Sequence, residues 1–209
     1  QDAQDPSFEV PPLTVVGAGL TGLEVVLALR NRWPSRKLCL QAYKNTPCKE
    51  FRRALTDAGI ELQTSDPLKQ GPALFCTGSQ APDWLEGSGL PVGIAGRVRT
   101  TGTLQVIGKP EIFAVGDCAV VEGAPRPPSG VWAVRAARPL ARNIERISSG
   151  LPAKPWRPQP LALQLVGYPS SIEKPRAWAN WGCLTFGPNP FFWQFKEFID
   201  RRFMKTLKQ

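Results

Sequence analysis

Residues 13–33 of the chain read LTVVGAGLTGLEVVLALRNRW, and the fold is best understood from this stretch outward. The first four of them are apolar or β-branched and predict a buried strand. From 20 to 33 apolar residues recur at helical spacing, and Pro34 stops the pattern. Between them lies the GxGxxG sequence at 17–22, so the stretch predicts a strand, a glycine-rich turn and a helix.

The three glycines of this loop are typical of a dinucleotide site. Gly17 would allow the tight turn, Gly19 would let the backbone approach a pyrophosphate, and Gly22 would let the helix pack closely on the strand. The pyrophosphate would lie on the free N–H groups at the start of the helix. The alternative is a glycine-rich turn that binds nothing.

The second strand is expected to end on a ribose-binding residue. That position falls on Gln41, 19 residues after Gly22, with Lys44 nearby. At that position, the carboxylate of an acidic residue usually accepts a hydrogen bond from a ribose hydroxyl. Glutamine can still hydrogen-bond a ribose and a nearby cation can tolerate a 2′-phosphate, so both NADPH use and weakened binding stay open.

Strand and helix patterns alternate further along the chain. They predict strands at 37–43, 60–63, 73–76 and 112–115, and helices at 51–58 and 131–147. The apolar run at 73–76 predicts a buried strand. The alternation predicts an α/β fold with a doubly wound, mainly parallel sheet.

The C-terminal part of the chain has a different character. Residues 150–190 are rich in Pro, Trp and Gly and predict a small α+β layer, with an antiparallel sheet on 161–166 and 178–186. Residues 190–209 regain helical period, with phenylalanines on one side and basic residues elsewhere. This amphipathic basic helix is expected either to lie on a membrane surface or partner or to pack on its own core.

Charge narrows the set of partners. The 209 residues carry a formal net charge of +9, which favours anionic partners. The basic residues are dispersed and match no known module, so we expect no nucleic acid. No apolar run reaches the roughly 18 residues of a membrane span. We find no signal peptide, and the residues at 1–12 are either an extended lead-in or the trimmed end of a precursor.

Residue types exclude several kinds of catalytic site. Histidine is absent, which removes Ser-His and Cys-His pairs. The cysteines are scattered without CxxC spacing, so they predict neither a zinc site nor a dithiol, but reduced and mostly buried thiols. They are Cys39, Cys48, Cys76, Cys118 and Cys183.

Two further motifs follow the glycine loop in order. Residues 77–82 read TGSQAP, and residues 112–119 read IFAVGDCA. With the loop, they resemble the landmarks of the pyridine nucleotide-disulfide oxidoreductase superfamily, whose members bind FAD and NAD(P). The resemblance implies a Rossmann-like fold and the same two cofactors, FAD and NAD(P)H.

The resemblance also implies roles for single residues. Thr77 and Gly78 would close the NAD(P) domain. Gly116 would be a close-approach glycine, and Asp117 would accept a hydrogen bond from the FAD ribitol. The alternative for Asp117 is a helix or turn cap. The helix that begins near Val131 would point its positive end at the flavin pyrimidine edge.

By the same resemblance, Glu24 would be a polar contact near the nicotinamide; a solvent-facing helix residue is the alternative. The implied domains are a shortened NAD(P)-binding domain at 12–80 and the C-terminal half of an FAD-binding domain at 81–150. A C-terminal layer at 151–209 would end in the basic helix.

Residues 130–146 and 199–204 resemble more closely the type II NADH dehydrogenase-like branch, especially the module fused to selenide, water dikinase. That family has two GxGxxG loops, and the loop at 17–22 corresponds to the later one. We therefore expect a partner chain or a preceding fragment of the same precursor to complete the FAD domain. The family's redox disulfide is also absent.

Two functions from different classes follow. The first is an FAD/NAD(P)-dependent oxidoreductase, or part of one, that passes electrons from NAD(P)H through flavin to a quinone or another acceptor. It would be peripheral to an organellar or bacterial membrane. The alternative is a degenerate, non-catalytic scaffold subunit of a larger, membrane-associated complex that keeps the fold.

Overall fold

The computed structural model describes residues 10–42, 46–64, 71–159, 163–169, 173–182 and 184–206. The predicted lead-in at 1–9, Lys44 and Cys183 lie outside the described residues. The chain forms two compact units. Unit 1 combines Gln1–Thr77 with Leu163–Gln209, and unit 2 is Gly78–Ala162.

Unit 1 begins with a parallel α/β sheet. Its elements are β1 Leu13–Val16, α1 Leu20–Arg32, β2 Leu38–Gln41, α2 Lys49–Asp57, β3 Glu61–Gln63 and β4 Ala73–Phe75. The strand order is β3-β2-β1-β4, and all neighbours are parallel. This order is one half of a doubly wound nucleotide-binding sheet. The predicted strand–turn–helix and the predicted fold class are confirmed.

Burial of β4 differs from the prediction. Its three residues are exposed, Leu74 at 43% and Phe75 at 64%. β4 pairs only with β1 and forms one end of the described sheet. The prediction of a buried strand at 73–76 was therefore wrong, because an apolar run shows which residues favour burial and not whether another element covers them.

Unit 2 contains a second sheet. Its elements are α3 Trp84–Gly87, β5 Val98–Thr100, β6 Gln105–Val106, β7 Lys109–Phe113, β8 Ala119–Val121 and α4 Gly130–Ser148. The order is β7-β6-β5-β8, with β5 and β8 parallel and the other pairs antiparallel. The helix predicted at 131–147 is confirmed. The strand predicted at 112–115 ends at Phe113, and the chain turns at 116–118.

The C-terminal segment returns to unit 1. Strands β9 Gln164–Tyr168, β10 Arg176–Trp181 and β11 Leu184–Asn189 form an antiparallel sheet of order β11-β10-β9, followed by α5 Pro190–Thr206. The predicted antiparallel layer and terminal helix are confirmed over the described residues. The units defined by contacts divide at 77 and 162, and 163 onward packs with the first 77 residues. The predicted domain boundaries at 80 and 150 stay a prediction.

One side chain ties this sheet to the first half of unit 1. Trp178 of β10 is fully buried and belongs to the same apolar cluster as Val15 and Leu27. Its ring stacks on Tyr168 at 5.3 Å and meets Phe51 of α2 edge-on at 5.1 Å. Aromatic side chains of this size contribute a large share of the apolar area of a core.

Helix α5 leaves part of its surface in solvent. The exposed large apolar residues on it are Phe191, Phe195, Phe198, Ile199, Phe203 and Met204. The phenylalanines predicted to share one side therefore do not all pack on the core. Within the described parts of the chain, no helix has both the length and the apolar character needed to cross a bilayer.

Candidate functional site

Two glycines of the loop are required by the fold itself. Gly17 has φ +111°, and a Cβ there would lie 2.3 Å from the carbonyl oxygen of Cys76. A Cβ on Gly22 would lie 1.8 Å from the carbonyl oxygen of Gly17. Both distances are far below van der Waals contact, so neither position accepts a side chain without backbone movement.

Gly19 is different, because nothing in the described chain requires a glycine there. Its φ is −71°, and no atom lies within 4 Å of an added Cβ. Gly19 is the residue that caps α1, and it has no side chain that could hydrogen-bond the first turn of that helix. The loop therefore presents an open backbone surface beside uncapped N–H groups, which is the geometry that a pyrophosphate needs.

Gln41 lies where the sequence predicted it, at the last position of β2. Its carbonyl oxygen accepts a hydrogen bond from the Gly17 N–H at 2.9 Å, which joins the strand end to the glycine loop. The residue is only 3% exposed. Its predicted contact with a ribose stays a prediction.

The side chain of Glu24 makes contacts within the protein and is not simply a solvent-facing helix residue. Its carboxylate accepts a hydrogen bond from the Gly167 N–H at 3.0 Å and lies 3.3 Å from the Lys196 ammonium. These contacts join α1 to β9 and α5. The predicted contact of Glu24 with nicotinamide stays a prediction. In the structure, the carboxylate also helps to attach the C-terminal sheet to α1.

Unit 2 places the Gly-Asp motif at the edge of a pocket. Gly116 has φ +75°, and it opens the single helical turn at 116–118. Asp117 is exposed, and its carboxylate accepts a hydrogen bond from the Ser79 hydroxyl at 3.4 Å. The Asp117 carboxylate therefore does not cap a helix, and it keeps acceptor capacity for a ligand hydroxyl.

Arg97 is the residue in this pocket that sequence reasoning missed. It is 9% exposed, and one of its terminal nitrogens donates to the Ser79 carbonyl at 3.5 Å. Its buried Nε has no hydrogen-bond partner among the described residues. Buried guanidinium groups are usually fully paired, so Arg97 leaves unused donor capacity beside Asp117. In the sequence its only distinguishing property is its charge, which it shares with many other residues, so no pattern marked Arg97 as a site residue.

The N-terminus of α4 forms another wall of the pocket. The Ser129 hydroxyl accepts from the Val131 N–H at 3.4 Å, so the N–H of Val131 is already engaged. Two guanidinium groups lie near the ring of Trp132, that of Arg135 at 5.3 Å and that of Arg126 at 5.9 Å from its centre. The pocket has a cavity volume of about 40 Å³, and its lining includes Arg97, Gly116, Asp117, Ser129 and Trp132.

The cysteines form no redox pair within the described chain. Cys39, Cys48, Cys76 and Cys118 are all free thiols. Burial, followed by the nearby Glu61 carboxylate, raises the pKa of Cys39 to about 11. Burial also raises the pKa of Cys76. Cys48 is exposed, contrary to the expectation of mostly buried thiols. The described residues contain no group of three or more acidic or cysteine side chains that could hold a metal ion.

The predicted site residues fall into two groups. Unit 1 holds Gly17, Gly19, Gly22, Glu24, Gln41 and Thr77, and unit 2 holds Gly78, Gly116, Asp117 and Val131. Gly17, Gly22 and the Cys76–Thr77 backbone are in direct proximity within unit 1. Gly116, Asp117 and the start of α4 are brought together in unit 2.

No protein-family model and no curated protein matches the sequence. Solved structures do match. The water-forming NADH oxidase of Lactobacillus brevis bound to NADH has a TM-score of 0.61 at 19% identity, over 81% of this chain and 42% of that chain. The reduced CoADR-RHD of Bacillus anthracis has a TM-score of 0.60 at 18% identity, over 81% of this chain and 34% of that chain.

A third match is an FAD-dependent pyridine nucleotide-disulphide oxidoreductase of Desulfovibrio vulgaris, with a TM-score of 0.59 at 18% identity, over 83% of this chain and 50% of that chain. The chain thus spans half or less of the length of these proteins. At such identities the likeness shows the fold alone. The chain therefore has the Rossmann-like α/β fold of the pyridine nucleotide-disulfide oxidoreductases.

Proposed function

We propose that the chain is an FAD/NAD(P)-dependent oxidoreductase or part of one. The observation that carries the proposal is Gly19. The fold explains the glycines at 17 and 22 by collisions within the chain, whereas it leaves the space beside Gly19 empty. A dinucleotide pyrophosphate on the first turn of α1 would use that space. The matched oxidase of Lactobacillus brevis was solved with NADH bound, which supports this class of ligand.

The residues that line the pocket of unit 2 are proposed to contact one part of the flavin, because the cavity of about 40 Å³ does not enclose the ring system. Asp117 would accept a hydrogen bond from a ribitol hydroxyl, and Gly116 would let the backbone come close to the ligand. The unpaired Nε of Arg97 fits an electron-rich ligand atom after a small rearrangement of its surroundings. When bound, the two cofactors would supply hydride transfer from nicotinamide to flavin.

The finer assignments are also proposals. We propose the type II NADH dehydrogenase-like branch, similar to the module fused to selenide, water dikinase, with a quinone or another acceptor. A partner chain or a preceding segment of the same precursor would complete the FAD domain. Peripheral attachment to an organellar or bacterial membrane is supported by the exposed apolar side chains of α5.

A pair of glycine variants tests dinucleotide binding. Gly19→Val fills the open space, while Gly87→Val adds the same side chain at the end of α3, where an added Cβ also meets no atom within 4 Å. NADH and NADPH are titrated into each protein and followed by nicotinamide fluorescence. Gly19→Val should weaken binding about tenfold or more, equivalent to at least ~1.4 kcal/mol, because its branched side chain keeps the pyrophosphate from the backbone.

Gly87→Val should bind as the wild type does. Without nucleotide, both variants should stay within roughly 4 °C of the wild-type thermal midpoint, because neither side chain collides with the protein and only the N-cap preference at Gly19 is lost. Equal affinity of the wild type and Gly19→Val would overturn the dinucleotide site. The same titration ranks NADH against NADPH and so decides the choice that Gln41 leaves open.

The scaffold function is the second candidate, and the exposed strand β4 favours it. Phe75 and Leu74 present apolar surface of a kind that is usually covered by another element or chain. The visible spectrum of the protein, purified with its natural partners, separates the two candidates. Flavin absorption supports the oxidoreductase, and a colourless complex that neither binds nor oxidises NAD(P)H supports the scaffold.

A further inference from the structure

Helix α4 carries four arginines on one side. They are Arg135, Arg138, Arg142 and Arg146, spaced three, four and four residues apart. At about 100° per residue this spacing keeps all four within roughly 80° of the helix circumference, over about 16 Å of its length. We call this row the arginine stripe. The one carboxylate on the helix is Glu145.

The two middle arginines of the stripe make no polar contact with the described part of the chain. Arg138 and Arg142 are exposed, and neither makes a hydrogen bond or ion pair with any described residue. The outer two are held in place. Arg135 donates to the Gln159 side chain at 2.9 Å, and the Nε of Arg146 donates to the Pro152 carbonyl at 2.7 Å.

This arrangement is unfavourable for an isolated helix. Like charges three or four residues apart repel, and the stripe contains three such neighbouring pairs. No salt bridge with Glu145 offsets them. A local feature that opposes stability without a compensating contact is more often found where a partner supplies that contact.

The surroundings of the stripe indicate the kind of partner. Val134 lies directly beside it and is 48% exposed, whereas Ile144 and Ile147 lie on the opposite side of the helix. Arginine next to exposed apolar side chains is typical of protein interfaces, where its planar fork binds carboxylates in pairs. A nucleic-acid surface would leave Val134 without a contact, because its backbone offers phosphates.

We propose that α4 is a docking surface for a partner protein, and that the partner presents carboxylates at helical spacing with apolar side chains beside them. The arginine stripe would bind the carboxylates, with Arg138 and Arg142 contributing most because they are unpaired. Val134 would contact the apolar part. The proposal does not depend on dinucleotide or flavin binding.

The test uses a synthetic helical peptide as the probe. It carries glutamates at spacings of three, four and four residues with leucine and alanine between them, and a fluorescent label for anisotropy. A second peptide has the same composition with the glutamates distributed round the helix. The full chain should bind the first peptide about tenfold more tightly than the second, because only the first aligns its carboxylates with the stripe.

A matched pair of variants locates the binding surface. Arg138→Glu/Arg142→Glu should weaken binding of the first peptide by about tenfold or more, and a peptide with lysines in place of the glutamates should then bind instead. Arg52→Glu/Arg53→Glu makes the same change in net charge on the exposed arginines of α2. This control should leave the affinity within about twofold of the wild-type value.

Circular dichroism checks that each variant is folded. Arg138→Gln/Arg142→Gln removes the charges without reversing them, so it decides the matter if the reversal variant fails to fold. It should weaken peptide binding while keeping the helix content. The proposal is overturned by equal binding of the two peptides or by equal loss in the α2 control. Tighter binding of duplex DNA or of phosphatidylglycerol vesicles would overturn it as well.

Discussion

Replacement of Gly22 by alanine tests the packing of the glycine loop. The added Cβ would lie 1.8 Å from the carbonyl oxygen of Gly17 and 3.0 Å from its carbonyl carbon. Ordinary contacts of this kind are near 3.4 Å or longer, so α1 and the loop would have to separate by well over 1 Å. Because the collision is with backbone, we expect a loss at the upper end for overpacked sites, about 3 kcal/mol.

This loss is measurable as a shift in the unfolding transition. For a chain of this size, 1 kcal/mol lowers the thermal midpoint by roughly 2 to 4 °C, so Gly22→Ala should lower it by roughly 6 to 12 °C. Tryptophan fluorescence reports the transition through the buried Trp178. Gly19→Ala is the matched control and should lower the midpoint by no more than roughly 2 to 4 °C, because its backbone conformation suits alanine and only the N-cap preference for glycine is lost.

An unchanged midpoint for Gly22→Ala would refute the reasoning, since it would mean that the helix does not approach the loop as closely as described. Equal losses for Gly22→Ala and Gly19→Ala would refute it too. In that case the cost would come from the helix start in general and not from the collision.

Four further predictions concern single side chains. Asp117→Ala should abolish flavin retention, read from the visible spectrum, and leave the thermal midpoint of the flavin-free protein unchanged because the side chain is exposed; retained flavin would contradict the assignment. Phe75→Lys should shift the thermal midpoint by less than about 2 °C, because the ring is already in solvent. A larger decrease would show that the strand is buried, as the sequence predicted. Cys39 has a raised pKa of about 11 in the folded chain, so its contribution to the free energy of unfolding is complete below pH 9 and is lost as the pH rises to 11. Between these values the wild type should lose about 2 to 3 kcal/mol more than Cys39→Ala does, measured by urea unfolding. At pH 8 a thiol reagent should label the exposed Cys48 before Cys39.

The sequence was sufficient for elements whose signal is local. The strand at 13–16 and the helix after it were predictable because an apolar run, three glycines and Pro34 all lie within one stretch. The short strands β5, β6 and β8 were not predicted. With two or three residues each, and polar residues such as Thr100 and Gln105 among them, they are too short to show a period of two.

Local sequence patterns could not predict which residues are buried or which segments pack into the same unit. Phe75 has the composition of a core residue, but its exposure depends on which element lies on β4. The packing of β9 on α1 joins residues far apart in sequence, and only the fold shows it. The site divides in the same way, because glycine spacing identified the loop, whereas Arg97 is an ordinary basic residue until its burial is known.

The interrupted course of unit 1 has a consequence for the order of events during protein synthesis. The carboxylate of Glu24 and the Gly167 N–H that it binds are separated by 143 positions. At the usual rates of chain elongation, roughly 10 to 30 s pass between their emergence from the ribosome. During that time one face of α1 stays open to water while unit 2 is synthesised, and the last residue of unit 2, Ala162, precedes Gly167 by five positions. Chaperones that hold apolar helices would therefore find their substrate in the nascent N-terminal segment until the C-terminal part of unit 1 has been made.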